Sequence, residues 1–198
     1  MIWLDFLLAW FTGLHNPVRM IEMLKGKPAP LWGLKGTLLR ALLDSLLVYL
    51  PLAIMGREPT FPSWLSFVST DSYYSVSVFL FPVYLVGLWL LLSSLIHLII
   101  RISGFRSNID QIMNISGMAA LIVGSVLVFW DWIWIAAGWK NEILLGISHL
   151  LFSVWALVIA SIGFKRILGL STRFSIFLNV IWILAGMPLS MIFVRPPV

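Results

Sequence analysis

The sequence predicts an all-α membrane protein: a five-transmembrane-helix bundle preceded by a short N-terminal interfacial, amphipathic helical segment. Three observations carry that expectation. Hydrophobic residues fill 61% of the 198 positions and charged residues only 11%, against roughly a quarter charged in an ordinary soluble domain. A water-soluble fold of this size has too little interior to hide so much apolar surface, so the bilayer must serve as its solvent. Five stretches reach the roughly 20 apolar residues needed to cross the hydrocarbon. Finally, Lys and Arg fall almost entirely on one side of the alternating topology that those stretches define.

Residues 1–33 are too short and too broken to span. Met1 to Trp10 lacks a basic leading region, and Asp5 interrupts its apolar run, so it is not expected to be a cleaved signal peptide. Ile2 to Phe11 reads instead as a short apolar helix in the inner interface. Asn16 is an N-cap candidate with Pro17 at the first helical position, opening a helix that runs to about Lys25. Lys27-Pro28-Ala29-Pro30 follows as a stiff basic linker into residues 34–198, the five-span domain.

The predicted spans are 34–55, 74–100, 109–130, 143–164 and 174–194, joined by short polar connections that leave no room for a soluble domain. With the N-terminus inside, the cytoplasmic side holds Arg19, Lys25, Lys27, Lys35, Arg40, Arg101, Arg106, Lys165, Arg166 and Arg173, whereas the outside holds only Arg57, Lys140 and Arg195. The bias fixes the orientation, and an odd number of spans puts the C-terminus outside. Trp130, Trp132, Trp134 and Trp139 cluster where the third span should leave the membrane, and Trp3, Trp10 and Trp32 mark the inner interface. The net charge of +5 does not indicate nucleic acid, because the basic residues stand singly or in pairs between apolar runs. With no cysteine there is no disulfide, thiolate metal site or cysteine nucleophile.

Polar groups in the hydrocarbon are costly unless partnered or useful. Asp44 lies roughly 13 Å into the first span, with Arg40 one turn before it on the same face. Two readings stand open: a structural pair or hydrogen-bonded neutral acid, and a proton or ligand site. His97, Asn114 and Asn179 fall at a similar depth in the second, third and fifth spans. Arg40, Asp44, His97, Asn114 and Asn179 therefore form a candidate polar cluster in the inner half of the bundle, either as an interhelical hydrogen-bond network or as a site for a headgroup, ion or peptide. His149 stands alone in the outer half of the fourth span and reads as a packing or interfacial residue. No histidine pair at ligand spacing suggests a metal.

Small residues recur every fourth position at Ser116, Ala120 and Gly124, and at Ala156 and Ala160, as stripes for close helix packing or for pairing with a second copy. The basic residues Arg19, Lys25, Lys27, Arg101, Arg106, Lys165, Arg166 and Arg173 form a candidate inner face for anionic lipid or a protein partner. No catalytic residue is assigned, because no nucleophile elbow, zinc-binding His-Glu-x-x-His, phosphate loop or intramembrane aspartyl-protease pair is present. No cofactor is expected.

The connection between the second and third spans, His97-Leu-Ile-Ile-Arg101-Ile-Ser-Gly104-Phe-Arg-Ser-Asn-Ile-Asp-Gln-Ile-Met-Asn114, resembles the hinge of the Yip-domain family. There a helix ends in an apolar stretch with a basic residue, a Gly makes the turn, and the next span opens on a polar first turn. Ser161-Ile-Gly163-Phe-Lys165-Arg166-Ile-Leu-Gly-Leu-Ser171-Thr-Arg173 is similar to that family's last cytoplasmic stretch. Asn16-Pro17-Val-Arg-Met-Ile-Glu-Met-Leu resembles the short helix that bacterial members place before the first span. The Asp-Leu-Tyr-Gly-Pro-type signature and the long polar arm of eukaryotic members are missing, as is a proline between Gly117 and Gly124. The resemblance is therefore to bacterial-type members. It implies five spans, a cytoplasmic N-terminus, a bacterial inner membrane and no catalytic activity.

The function expected is that of a non-enzymatic membrane organiser or scaffold in the lipid bilayer, holding a protein or lipid partner or a second copy of itself. The alternatives are a small transporter or channel with a polar site around Asp44 and His97 and, ranked last, a lipid-active intramembrane enzyme.

Overall fold

The computed structural model describes residues 2–27, 29–62 and 64–195. They fold into α1 (Ile2–His15), α2 (Pro17–Leu24), α3 (Leu31–Asp44), a π-helical turn (Ser45–Tyr49), α4 (Leu50–Ile54), α5 (Tyr73–Ile102), α6 (Ile109–Ala136), α7 (Glu142–Leu168) and α8 (Thr172–Phe193), with no strand among the described residues. From α3 to α4 the helix is continuous, and Leu31–Ile54, α5, α6, α7 and α8 are the five helices long and apolar enough to cross a membrane. Large side chains such as Phe79, Val83, Phe129, Leu151 and Leu184 are exposed around the bundle, as expected of a lipid-facing surface. This is a multi-pass α-helical membrane protein.

Local chemistry starts and stops these helices. Asn16, Asn108, Asn141 and Ser171 each cap a helix by accepting a hydrogen bond from the backbone N–H three residues on. Gly169 closes α7 at φ +70°, a left-handed cap that residues with a Cβ rarely adopt. The helices outrun the spans expected from hydropathy, most of all α6, which continues past 130 to Ala136. In the Trp-rich end Trp130, Trp132 and Asp131 bond to neighbouring helices, whereas Trp134 Nε1 is buried without a hydrogen bond. Trp130 Nε1 donates to Ser148 Oγ at 2.8 Å, and Asp131 pairs with α7.

The third membrane helix, α6, is the axis of the bundle. In its most apolar stretch 78% of residues are buried, against 17% in α7 and in α8. Its closest neighbour is α3, which runs parallel to it. Gly33 and Gly36 sit directly against the α6 backbone at Met113 and Gly117, where a Cβ on Gly33 would overlap the Met113 carbonyl. The start of α3 is held by side chains of α6. Asn114 Oδ1 accepts the Gly33 N–H at 2.8 Å, Asn114 Nδ2 donates to the Ala29 carbonyl at 2.9 Å, and Gln111 Nε2 donates to the Lys27 carbonyl at 2.8 Å. An N–H of the first helical turn, which no carbonyl of its own helix can satisfy, is thereby satisfied from outside.

The N-terminal hairpin shares the core of the spans. Phe6 and Ala9 of α1 and Met20, Ile21 and Leu24 of α2 are buried in one cluster with Ile115, Ile122 and Phe164. Trp10 Nε1 donates to Ser125 Oγ at 3.1 Å, and Arg166 pairs with Glu22 at 2.9 Å. The outward side of α1 is also apolar: Trp3, Leu4, Leu8 and Phe11 are exposed.

Candidate functional site

The connection from α6 to α7 is a tight antiparallel hairpin that brings Trp130 to Ser148 and Asp131 to His149. Asp131 is 4% exposed, and His149 Nε2 donates to its Oδ1 at 2.7 Å. Across the α7–α8 turn Asn179 meets Ser161.

On the facing side Arg40 Nε lies 2.5 Å from Asp44 Oδ2. The two groups form an ion pair whose geometry leaves Arg40 Nη1 and Asp44 Oδ2 without an aligned hydrogen bond, although both are buried. Arg40 lies along Gly124 of α6, where any Cβ would collide with the guanidinium arm. The helix widens immediately after Asp44, and the Leu50 N–H reaches back to the Ser45 carbonyl, one residue further than in an α-helix. Pro51 has no N–H to offer the Leu47 carbonyl; Trp132 Nε1 on α6 supplies the donor at 2.6 Å.

Arg195, just beyond α8, completes the region. It is 6% exposed, and its guanidinium donates to the carbonyls of Pro62, Met191 and Val194. Its backbone N–H donates to Tyr73 Oη at 2.8 Å, and Tyr73 in turn donates to the Phe193 carbonyl at 3.0 Å.

Arg40, Asp44, Asp131, His149 and Arg195 line one cavity of about 590 Å³, between the end of α3 with its π-helical turn, the C-terminal end of α6, the start of α7 and the C-terminal end of α8. Arg40, Asp44, Asp131, His149 and Arg195 supply charge; Val48, Tyr49, Phe81, Ile147, Leu150, Met187 and Met191 supply apolar wall. The volume falls in the range of small-molecule sites. Keeping Arg40, Asp44 and Asp131 away from water is costly, and removing one member of such a pair typically costs about 3–5 kcal/mol by stranding the other.

The expected inner cluster does not form as a unit. Asp44 and Arg40 do pair, but their neighbours are Asp131 and His149. Asn114 is spent on the start of α3, His97 Nδ1 lies 2.8 Å from Ser107 Oγ, and Asn179 Nδ2 donates to the Leu157 carbonyl and Ser161 Oγ. Nor do they share a level of the bundle: α3 runs alongside α6 with Gly33 beside Asn114 and Arg40 beside Gly124, so Asp44 lies well beyond Asn114, toward the Trp-rich end of α6. His149 is not alone, because Asp131 binds it. Asp131 was hidden among the tryptophans, and no spacing in the chain marked it as the partner of His149. Arg195 was read only as an outside charge, and nothing local marks it as a cavity residue.

The small-residue stripe serves packing within the chain. Ser116 Oγ lies 3.1 Å from both Trp89 Nε1 and Ser93 Oγ on α5, and Gly124 admits Arg40. Ala120 is half-buried between them, and Ala156 and Ala160 pack on the central cluster. Of the basic face, Arg19, Lys25, Arg101, Arg106, Lys165, Arg166 and Arg173 are exposed at the end of the bundle that holds the α5–α6 and α7–α8 turns. Lys27 instead sits with its Nζ 4.6 Å from the centre of the Trp32 ring. Among the described residues no group of three or more His, Asp or Glu side chains is placed to hold a metal ion.

No family model matches the chain, and neither a curated protein nor a solved structure shows significant similarity to it.

Proposed function

We propose that this chain is a non-enzymatic membrane protein that acts by binding, as an organiser or scaffold that holds a lipid or membrane-protein partner within the bilayer. One observation carries the reading: a cavity of about 590 Å³ that sets buried ion pairs against an apolar wall facing the lipid. Such a lining suits an amphiphilic partner and is costly to maintain without one. The Yip-type resemblance supports the same class and argues for a bacterial inner membrane. The exposed basic residues gathered at one end support an N-terminus in the cytoplasm, by the same asymmetry that orients other inner-membrane proteins.

The test is purification in native nanodiscs followed by mass spectrometry of every co-purifying lipid and protein. One lipid enriched over the bulk membrane, or one stoichiometric protein, is the expected result. A chain surrounded only by bulk lipid, with no protein partner, would overturn the reading.

A second reading, a small transporter or channel, is favoured by Asp44 and Arg40 lining the cavity midway along a helix that widens at that point. On that reading Asp44→Asn abolishes a flux while leaving insertion intact. His97 would lie outside the path, since it is not among the cavity residues. The third reading, a lipid-active enzyme, needs a water-accessible cavity around the inner polar cluster; Arg40 and Asp44 line a cavity, while His97, Asn114 and Asn179 bond to separate partners and are not among its lining residues.

A further inference from the structure

We infer that the cavity holds the headgroup of an aminophospholipid, a phosphodiester with a primary ammonium, and that its acyl chains leave between α7 and α8. The inference rests on the binding reading above and names the partner. The lining carries Arg40 and Arg195 against Asp44 and Asp131, two charges of each sign, with His149 beside them. A lone anion or cation would meet equal numbers of like and opposite charges there. A zwitterion can match both.

Asp44 is 4% exposed and its Oδ2 is held by Arg40 Nε, while Arg40 Nη1 is buried beside Gly124 without a hydrogen bond. Among the described residues Arg195 has only carbonyl partners, so no carboxylate neutralises it. Guanidinium groups suit a phosphodiester, and carboxylates suit an ammonium that carries N–H donors.

A quaternary ammonium would need an aromatic cage instead. Tyr49 and Phe81 pack against each other with ring centres 5.1 Å apart and the third ring of the lining, Trp64, lies exposed in the loop before α5, so the carboxylates rather than a cage of rings hold the ammonium. The acyl chains find their exit on the other wall, where Ile147, Leu150, Met187 and Met191 are 39–50% exposed toward the lipid side. A water-soluble zwitterion with the same headgroup would satisfy the charged lining and leave that wall bare.

The test uses the full chain in detergent micelles and scores retained lipid by native mass spectrometry. Phosphatidylethanolamine, phosphatidylcholine and phosphatidylglycerol are offered at equal concentration, and free phosphoethanolamine is the soluble competitor. The expected result is at least a tenfold preference for phosphatidylethanolamine over the other two, with free phosphoethanolamine competing far more weakly than the diacyl lipid. Asp131→Asn should bring phosphatidylethanolamine to parity with phosphatidylcholine. Met187→Trp, which fills the apolar wall and touches no charge, should lower retention of all three lipids while thermal unfolding stays unchanged.

Equal retention of the three lipids would overturn the headgroup assignment while leaving the binding reading standing. Competition by phosphoethanolamine at the same concentration as the lipid would overturn the membrane source of the ligand. Retention of no lipid, together with no protein partner in nanodiscs, would overturn the binding reading as well.

Discussion

Replacing Gly33 by Ala tests whether α3 and α6 meet backbone to backbone. An added Cβ would overlap the Met113 carbonyl and crowd the Asn114 backbone, and neither can rotate away as a side-chain tip could. Relief requires α3 to move off α6, which loosens close packing at a cost of about 1–3 kcal/mol. The movement also stretches the 2.8 Å bond from the Gly33 N–H to Asn114 Oδ1, a buried hydrogen bond contributing about 1 kcal/mol net. Against this, Ala is favoured over Gly in a helix by about 1 kcal/mol. The expected net loss is about 1–3 kcal/mol. Gly87 is the internal control, since its Cβ would meet nothing within 4 Å, so Gly87→Ala should be neutral or stabilising by up to about 1 kcal/mol. Unfolding in mixed micelles by increasing SDS, followed through the fluorescence of the 11 tryptophans, should separate the two variants by about 2 kcal/mol or more. Coincident curves for Gly33→Ala and Gly87→Ala would refute the close approach.

Two further predictions rest on other contacts. A double-mutant cycle of Asp131→Asn and His149→Gln should give a coupling of about 0.6–1.7 kcal/mol, the range of interhelical hydrogen bonds in membranes; additive effects would mean that the pair contributes nothing. Because the chain has no cysteine, single reporters are clean: in intact bacterial cells a membrane-impermeant maleimide should label Lys140→Cys at once and Ser103→Cys only after lysis. The reverse pattern would invert the proposed orientation.

By itself the sequence determined that these helices form, because that depends on local chemistry and on transfer from water, but not all their ends, since α6 runs past the expected 130 to Ala136. Apolar runs of spanning length, Asn and Ser at first turns, and Gly169 past the end of α7 require no knowledge of neighbours. The membrane class followed from composition for the same reason.

Which faces meet was decided only by the tertiary structure. In a soluble helix the apolar stripe reveals the buried side, but in a membrane helix the lipid-facing side is equally apolar and the stripe disappears. Depth counted along each span could not turn Asp44, His97, Asn114 and Asn179 toward one another, and it misplaced Asp44, which lies beyond Arg40 and Gly124, near Asp131. Rotation about each helix axis set Asn114 to hold the start of α3, sent Asn179 to α7, and gave Asp44 and Arg40 a shared cavity with Asp131 and His149. The α6–α7 hairpin brings Asp131 into the neighbourhood of His149, but their meeting, like the addition of Arg40, Asp44 and Arg195, depends on how the helices are turned and packed around α6, which no local pattern encodes.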